Sequence, residues 1–249
     1  MALAFLSLGF GLGFGLGVGL GFAVTASAGP VEDAAAAFGR GDYATTLAKI
    51  KSATAADRAA LQAFAKQVGN SLYGEIAYNH LALGRPDAAE PGASTLEAKA
   101  DPTCHFALSF RRGNKVVRLW SMPNGAPAAT VSSSAVIWSA AVSQQFVAIE
   151  EPQAVSLYDI RSGKLLRSIA KPKDGRVQTL GLYFSQDGKR ILAIPEVMRS
   201  FRGEGSGRLF DVQTGSELPS QTAVPPPISF EEQTPTPDCP LVKQQTFAQ

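Results

Sequence analysis

The sequence predicts an α+β protein in which antiparallel helical hairpins precede an all-β antiparallel meander. Three observations carry that prediction. A nine-residue pattern returns three times, as Val117-Arg-Leu-Trp-Ser-Met-Pro-Asn-Gly125, Val155-Ser-Leu-Tyr-Asp-Ile-Arg-Ser-Gly163 and Gly207-Arg-Leu-Phe-Asp-Val-Gln-Thr-Gly215. Each copy puts Leu third, an aromatic fourth, Ser or Asp fifth and Gly ninth, which reads as a strand entering a glycine turn. Upstream, Leu61, Phe64, Ala65, Val68 and Leu72 fall on one helical stripe. Between the repeats the apolar residues change to period two, Val136, Trp138, Ala140 and Val142 alternating with Ile137, Ser139, Ala141 and Ser143.

Taken in order, residues 2–28 hold no charged side chain and end in Thr25-Ala26-Ser27-Ala28. Small residues at 26 and 28 form the cleavage pattern of a secretory signal. The apolar run is also long enough to span a bilayer as an uncleaved anchor, so the only membrane contact expected is through residues 2–24. Either version puts the remainder outside the cytoplasm, in a periplasmic or extracellular setting or anchored at the membrane.

Four helices are expected near 31–39, 42–52, 55–69 and 71–84, within a helical domain at 29–98. Thr54 with Asp57 is a capping box, Gly69-Asn70 a stop, and Ser71 a cap for the following helix. Phe38-Gly39-Arg40-Gly41-Asp42-Tyr43-Ala44 and Tyr78-Asn79-His80-Leu81-Ala82-Leu83-Gly84-Arg85-Pro86-Asp87-Ala88-Ala89 resemble the helix turns of tetratricopeptide or Sel1-like repeats. The resemblance implies a short peptide-docking array; the other arrangement open to such helices is a cap laid over the sheet region. Arg40-Gly41-Asp42 reads as turn chemistry, and His80 as a satisfied, half-buried histidine.

Residues 99–218 form the meander. Gln144-Gln145 and Pro152-Gln153 are turns, with strands at Phe146 to Ile149, Leu165 to Ile169, Leu180 to Ser185 and Arg190 to Ile194, and Asp187-Gly188 suits a type I′ hairpin. Trp120, Tyr158 with Asp159, and Phe210 with Asp211 resemble the closing tryptophan-aspartate strand of WD40-like β-propeller repeats, and Ser185-Gln-Asp-Gly188 resembles a turn of that family. The resemblance implies an incomplete β-propeller of about two to three blades, two of them complete. Residues 195–206 read as a loop inserted before an outer strand. The family's glycine-histidine pair is absent, so the propeller is divergent. Unclosed blades leave strand edges that invite self-association, unless helices and tail cover them, a partner supplies blades, or the chain is a fragment of a longer one.

The tail, 219–249, holds seven prolines, including Pro225-Pro226-Pro227, and reads as an extended terminus. Cys104 and Cys239 bracket the repeats; one disulfide between them and two free thiols both remain open.

As for function, 23 Lys and Arg against 21 Asp and Glu give a net charge of +2, too small to suggest nucleic acid. With His80 and His105 the only histidines and no H-E-x-x-H, G-x-S-x-G or Walker A motif, no catalytic constellation, metal site or cofactor site is legible. Carboxylate chemistry is confined to Glu150, Glu151, Asp159 or Glu196. The expectation is a noncatalytic exported protein-interaction scaffold whose partner is another protein, with Arg111, Arg112, Arg199, Arg202 and Arg208 as a candidate interaction rim. The alternative is a membrane-anchored sensory or regulatory ectodomain that binds a small ligand or envelope component.

Overall fold

The computed structural model describes residues 29–83, 96–171, 180–185, 187–195, 208–219 and 239–241. The leader, the inserted loop with Glu196, Arg199 and Arg202, the later part of the second helical-repeat turn, and Pro225-Pro226-Pro227 lie outside the described residues.

Four helices form two antiparallel hairpins: α1 (Pro30–Gly39), α2 (Tyr43–Ser52), α3 (Arg58–Val68) and α4 (Leu72–Leu83). Their ends follow local chemistry. Asp42 caps α2 by accepting from the Thr45 amide, and the Thr45 side chain and then its backbone lower the Asp42 pKa, so Arg40-Gly41-Asp42 is a helix-to-helix turn. Thr54 and Asp57 complete the capping box around a 3-10 turn at Ala55–Asp57, and Ser71 Oγ accepts from the Gly74 amide at the start of α4. His80 sits half-buried, its Nε2 2.8 Å from the Ala53 carbonyl. Between the hairpins Phe38, Tyr43, Phe64 and Tyr73 pack edge-on or stacked, with ring centroids 5.2 to 6.0 Å apart.

Twelve strands follow: β1 (Leu96–Ala100), β2 (Phe106–Arg111), β3 (Val116–Ser121), β4 (Ala126–Ser132), β5 (Ser139–Val142), β6 (Phe146–Glu150), β7 (Ala154–Asp159), β8 (Leu165–Ala170), β9 (Leu180–Phe184), β10 (Arg190–Pro195), β11 (Arg208–Asp211) and β12 (Glu217–Leu218). They make three antiparallel sheets of four strands, each in meander order, here called blades 1, 2 and 3. The third blade thus has its four strands, where two complete blades were expected. Strand β1 begins at Leu96, inside the span expected to be helical, and the period-two stretch from Val136 becomes strand only at Ser139. The residues between β10 and β11 precede the third strand of their blade, not the outermost.

Trp120, Tyr158 and Phe210 occupy corresponding places on β3, β7 and β11, the third strand of each sheet. Gly125, Gly163 and Gly215 follow in the next turn with φ of +67°, +65° and +73°, a backbone that a side chain strains. Each glycine amide reaches back to the carbonyl four residues earlier, on Ser121, Asp159 and Asp211. Asp159 accepts from the backbone and hydroxyl of Ser162, and Asp211 from those of Thr214. Blade 1 closes its turn through Asn124, which accepts from the Ala126 amide. The fifth-place acid therefore builds a turn.

Blades 1 and 2 share one core of Leu108, Phe110, Val117, Leu119 and Val131 against Ile137, Ala140, Val142, Val147, Ile149 and Tyr158. Blades 2 and 3 share another, with Ala148, Val155 and Leu157 against Leu182, Phe184, Ile191 and Phe210. Among the described residues no sheet meets the opposite face of blade 1. There Leu47, Leu72 and Ile76 of the helices pack on Ala98, Ala100, Ala107 and Trp120. Phe210 joins the core toward blade 2, Tyr158 the core toward blade 1, and Trp120 the core toward the helices. The helical layer thus lies where a preceding blade would lie.

Cys104 and Cys239 are bonded, with Cα atoms 5.7 Å apart. Cys239 and Leu241 are buried in the helix-to-blade core, so this part of the tail is packed in place and not a solvated terminus. The reason is local: a disulfide and a Leu bring apolar surface to a cluster that already excludes water.

Candidate functional site

The connections between first and second strands reveal a second repeat that the sequence reading missed. Asp101, Ser143 and Ser185, all buried, occupy the same place in the three blades. Asp101 Oδ2 accepts from the Phe106 amide, Ser143 Oγ from Phe146 at 3.0 Å, and Ser185 Oγ from Arg190 at 3.0 Å. An Asp and two Ser at unequal loop lengths leave no common string, so the shared role appears only with the register. The expected type I′ hairpin at Asp187-Gly188 is corrected here: only Gly188 of the pair has positive φ, at +70°. Five residues link β9 to β10, and the Ser185 and Asp187 side chains close the loop in place of a two-residue turn.

These turns line a cleft of about 670 Å³ that spans the same end of all three blades. Asp101, Thr103, Gln144, Gln145, Arg167, Asp187, Lys189, Asp211 and Gln213 contribute its polar wall. Its acids are committed to turns. Asp101 accepts from Thr103 and Phe106, Asp187 from Ser185 and Lys189, and Asp211 from Thr214. The backbone and hydroxyl of Thr214 hold the Asp211 carboxyl below the usual range, aided by Arg167. Arg167 itself has a buried Nε without a hydrogen-bond partner.

A second cleft, about 570 Å³, lies between α3 and α4 on one side and β2 and β3 on the other. A polar network joins its walls: Ser109 Oγ donates to Glu75 at 2.6 Å, Trp120 Nε1 donates to Ser109 Oγ at 2.8 Å, and Arg118 donates to Glu75 at 3.2 Å. Farther along α4, Arg111 donates to Asn79.

Blade 2 carries the remaining buried acids. Glu151 accepts from Ser133 at 2.5 Å and Ser156 at 2.8 Å, with the Tyr158 hydroxyl 3.5 Å away. Burial, and then the Glu151 charge, raise the Tyr158 pKa. Glu150 pairs with Lys171 at 2.7 Å, whose ammonium lies 4.5 Å from the Trp138 ring centroid. Both carboxylates hold sheet and loop together.

No family model and no curated protein matches the chain. Among solved structures it is similar to the hydrazine synthase of Kuenenia stuttgartiensis, at 15% identity over 52% of this chain, with a TM-score of 0.40. The chain spans 35% of that protein's chain. A likeness of that size carries no argument about activity.

Of the five arginines expected as a rim, Arg111, Arg112 and Arg208 are among the described residues. Arg111 and Arg112 are on blade 1, where Arg112 pairs with Glu97 at 2.7 Å; Arg208 is on blade 3, where both branches of its guanidinium hold Glu217. Each cation answers a neighbouring group on its own blade or on the helices. Asp159, one of the four carboxylates singled out for chemistry, is committed to its turn. Among the described residues no three His, Cys, Asp or Glu side chains converge as a metal set. No helix there is long and apolar enough to cross a membrane.

Proposed function

We propose that the chain is a noncatalytic, exported binding module that presents the turn end of its three blades to a segment of another protein. The observation that carries this reading is the cleft across the three first turns, whose carboxylates are consumed in turn building while Arg167 keeps a buried donor without an acceptor. Acids spent this way fix the shape of a surface, and they leave no free base or nucleophile of the kind catalysis draws on. A wall of Gln, Thr, Lys and Arg matches the carbonyl-rich backbone of an extended peptide. Rigid sheets with polar turns are a common setting for such recognition. Export is supported by the disulfide, since thiols stay reduced in the cytosol of most organisms.

The test is a photo-crosslinking residue at Gln144 or Gln213, with Ala36 on the exposed face of α1 as control, in cells that make the protein. A discrete protein adduct from the cleft positions and none from Ala36 is expected. Equal labelling at all three, or none at the cleft, would overturn the reading.

A further inference from the structure

The cleft between helices and blade 1 has a charge pattern that the interaction reading does not use. Its lining includes Lys66, Arg111 and Arg118 against one carboxylate, Glu75. Glu75 is already spent, one oxygen on Ser109 and the other on Arg118. Arg118 gives only Nη1 to Glu75, and its side chain is 52% exposed. Most of the five donors on a guanidinium are therefore not spent on Glu75, and Arg118 lines the cleft. Lys66 is exposed on α3.

The backbone fixes this arrangement. Ser109 lies opposite Arg118 in the β2–β3 register, so Arg111, two residues on, is its diagonal neighbour on the same face. Glu75, Tyr78 and Asn79 follow at helical spacing along α4. Tyr78 is 67% exposed, a large aromatic left in water beside the cations. The first turn of α4 adds the positive end of its dipole at the rim, where Asn70 and Ser71 line the cleft. A volume of about 570 Å³ is in the range of small-molecule sites.

We infer that this cleft binds a small oxyanionic ligand, a carboxylate or phosphate on a ring-sized body. Arg118 and Lys66 hold the anion and Tyr78 covers the ring. The guanidinium fork suits either oxyanion, so the source is settled by probes that share one sugar ring.

The full protein is titrated with glucuronate, with glucose 6-phosphate and with glucose, following the two indole N–H resonances. Trp120 lines the cleft and reports occupancy; Trp138, under Lys171 on blade 2, is the internal control. A saturable shift of Trp120 alone is expected with at least one acid and none with glucose. Response to glucuronate only assigns a carboxylate, and to the phosphate only a phosphoryl group. Lys66→Ala and Arg118→Gln should each weaken binding about tenfold, the worth of one charge-assisted hydrogen bond. Tyr78→Ala should weaken the acid sugars more than inorganic phosphate. No saturable shift with either acid, or affinity unchanged in Lys66→Ala, which breaks no contact of the fold, would overturn the inference.

Discussion

Toward blade 2, the first blade offers Leu108, Phe110, Val117, Leu119 and Val131; toward the helices it offers Ser109, Arg111, Arg118 and Trp120. The first set is dry and wholly apolar, and a similar one recurs between blades 2 and 3. The second is a single, unrepeated junction, held by hydrogen bonds across more than 30 residues of sequence, by the Tyr73 hydroxyl on the Pro123 carbonyl at 2.6 Å, and by a disulfide. A blade-to-blade contact is solved once and copied with the repeat. A helix laid against a blade has a different surface, so it needs polar pairs to fix its position, and those pairs leave a charged cleft beside them.

The largest expected effect comes from the disulfide, which ties the tail to blade 1 beside the helical junction. Closing a loop of 135 residues is worth about 5 kcal/mol in the chain-entropy account. Cys104→Ser with Cys239→Ser, or reduction, should lower the denaturation midpoint strongly. Equal stability of the oxidised and reduced forms would show that this clamp is idle.

Next in size is Trp120→Ala, expected to cost about 3–5 kcal/mol for a buried aromatic. Trp120→Phe sharpens the comparison. It keeps the apolar contact but strips the donor from Ser109, for about 1 kcal/mol, whereas Tyr158→Phe between blades 1 and 2 gives up only a 3.5 Å contact to Glu151 and should be close to neutral. Thermal or denaturant melts decide the order.

The glycine turns give a smaller contrast. Gly125→Ala and Gly163→Ala both strain a positive φ, at about 1–2 kcal/mol. The new methyl at 125 would also sit 2.8 Å from the Tyr73 ring, under the helices, whereas at 163 it meets the Thr130 carbonyl at 3.1 Å. Gly125→Ala should therefore be the more damaging.

The smallest effect is shared by the turn acids. Asp159→Ala and Asp211→Ala should each cost about 0.5 kcal/mol after solvent screening. Both carboxyls titrate below their usual value when folded, Asp159 through its hydrogen bonds from Ser162 and Asp211 through those from Thr214. Their stabilisation is thus complete above the unfolded carboxylate value near 3.8 and is lost as pH falls through the lower folded value. A melt series into acid should show the loss, and Asp159→Asn with Asp211→Asn should flatten it.

How much was legible follows the same division. The helix caps at Thr54 and Ser71 and the glycine turns at 125, 163 and 215 could be read because each is decided by residues within one turn of chain. The third-strand aromatics were legible for the same reason, being tied to those turns. Asp101, Ser143 and Ser185 were not, because different residues serve one role and only strand register aligns them. Strand β1 was hidden in an Ala-rich stretch that suits a helix as well. The cleft of Lys66, Tyr78 and Arg118 was illegible, since it exists only where α4 meets β3. The partners of Arg111, Arg112 and Arg208 were illegible too, because charge in a sequence says nothing of the group that folding brings beside it.

The account rests on the helical layer and the blades forming one cooperative body, with Trp120 packed under the helices as Tyr158 and Phe210 are packed under their neighbouring blades. Denaturant unfolding of the oxidised protein, followed together by the helical circular dichroism signal and by tryptophan fluorescence, tests this directly. Coincident transitions are predicted. A helical signal that melts at lower denaturant, with Trp120 emission still native, would contradict it.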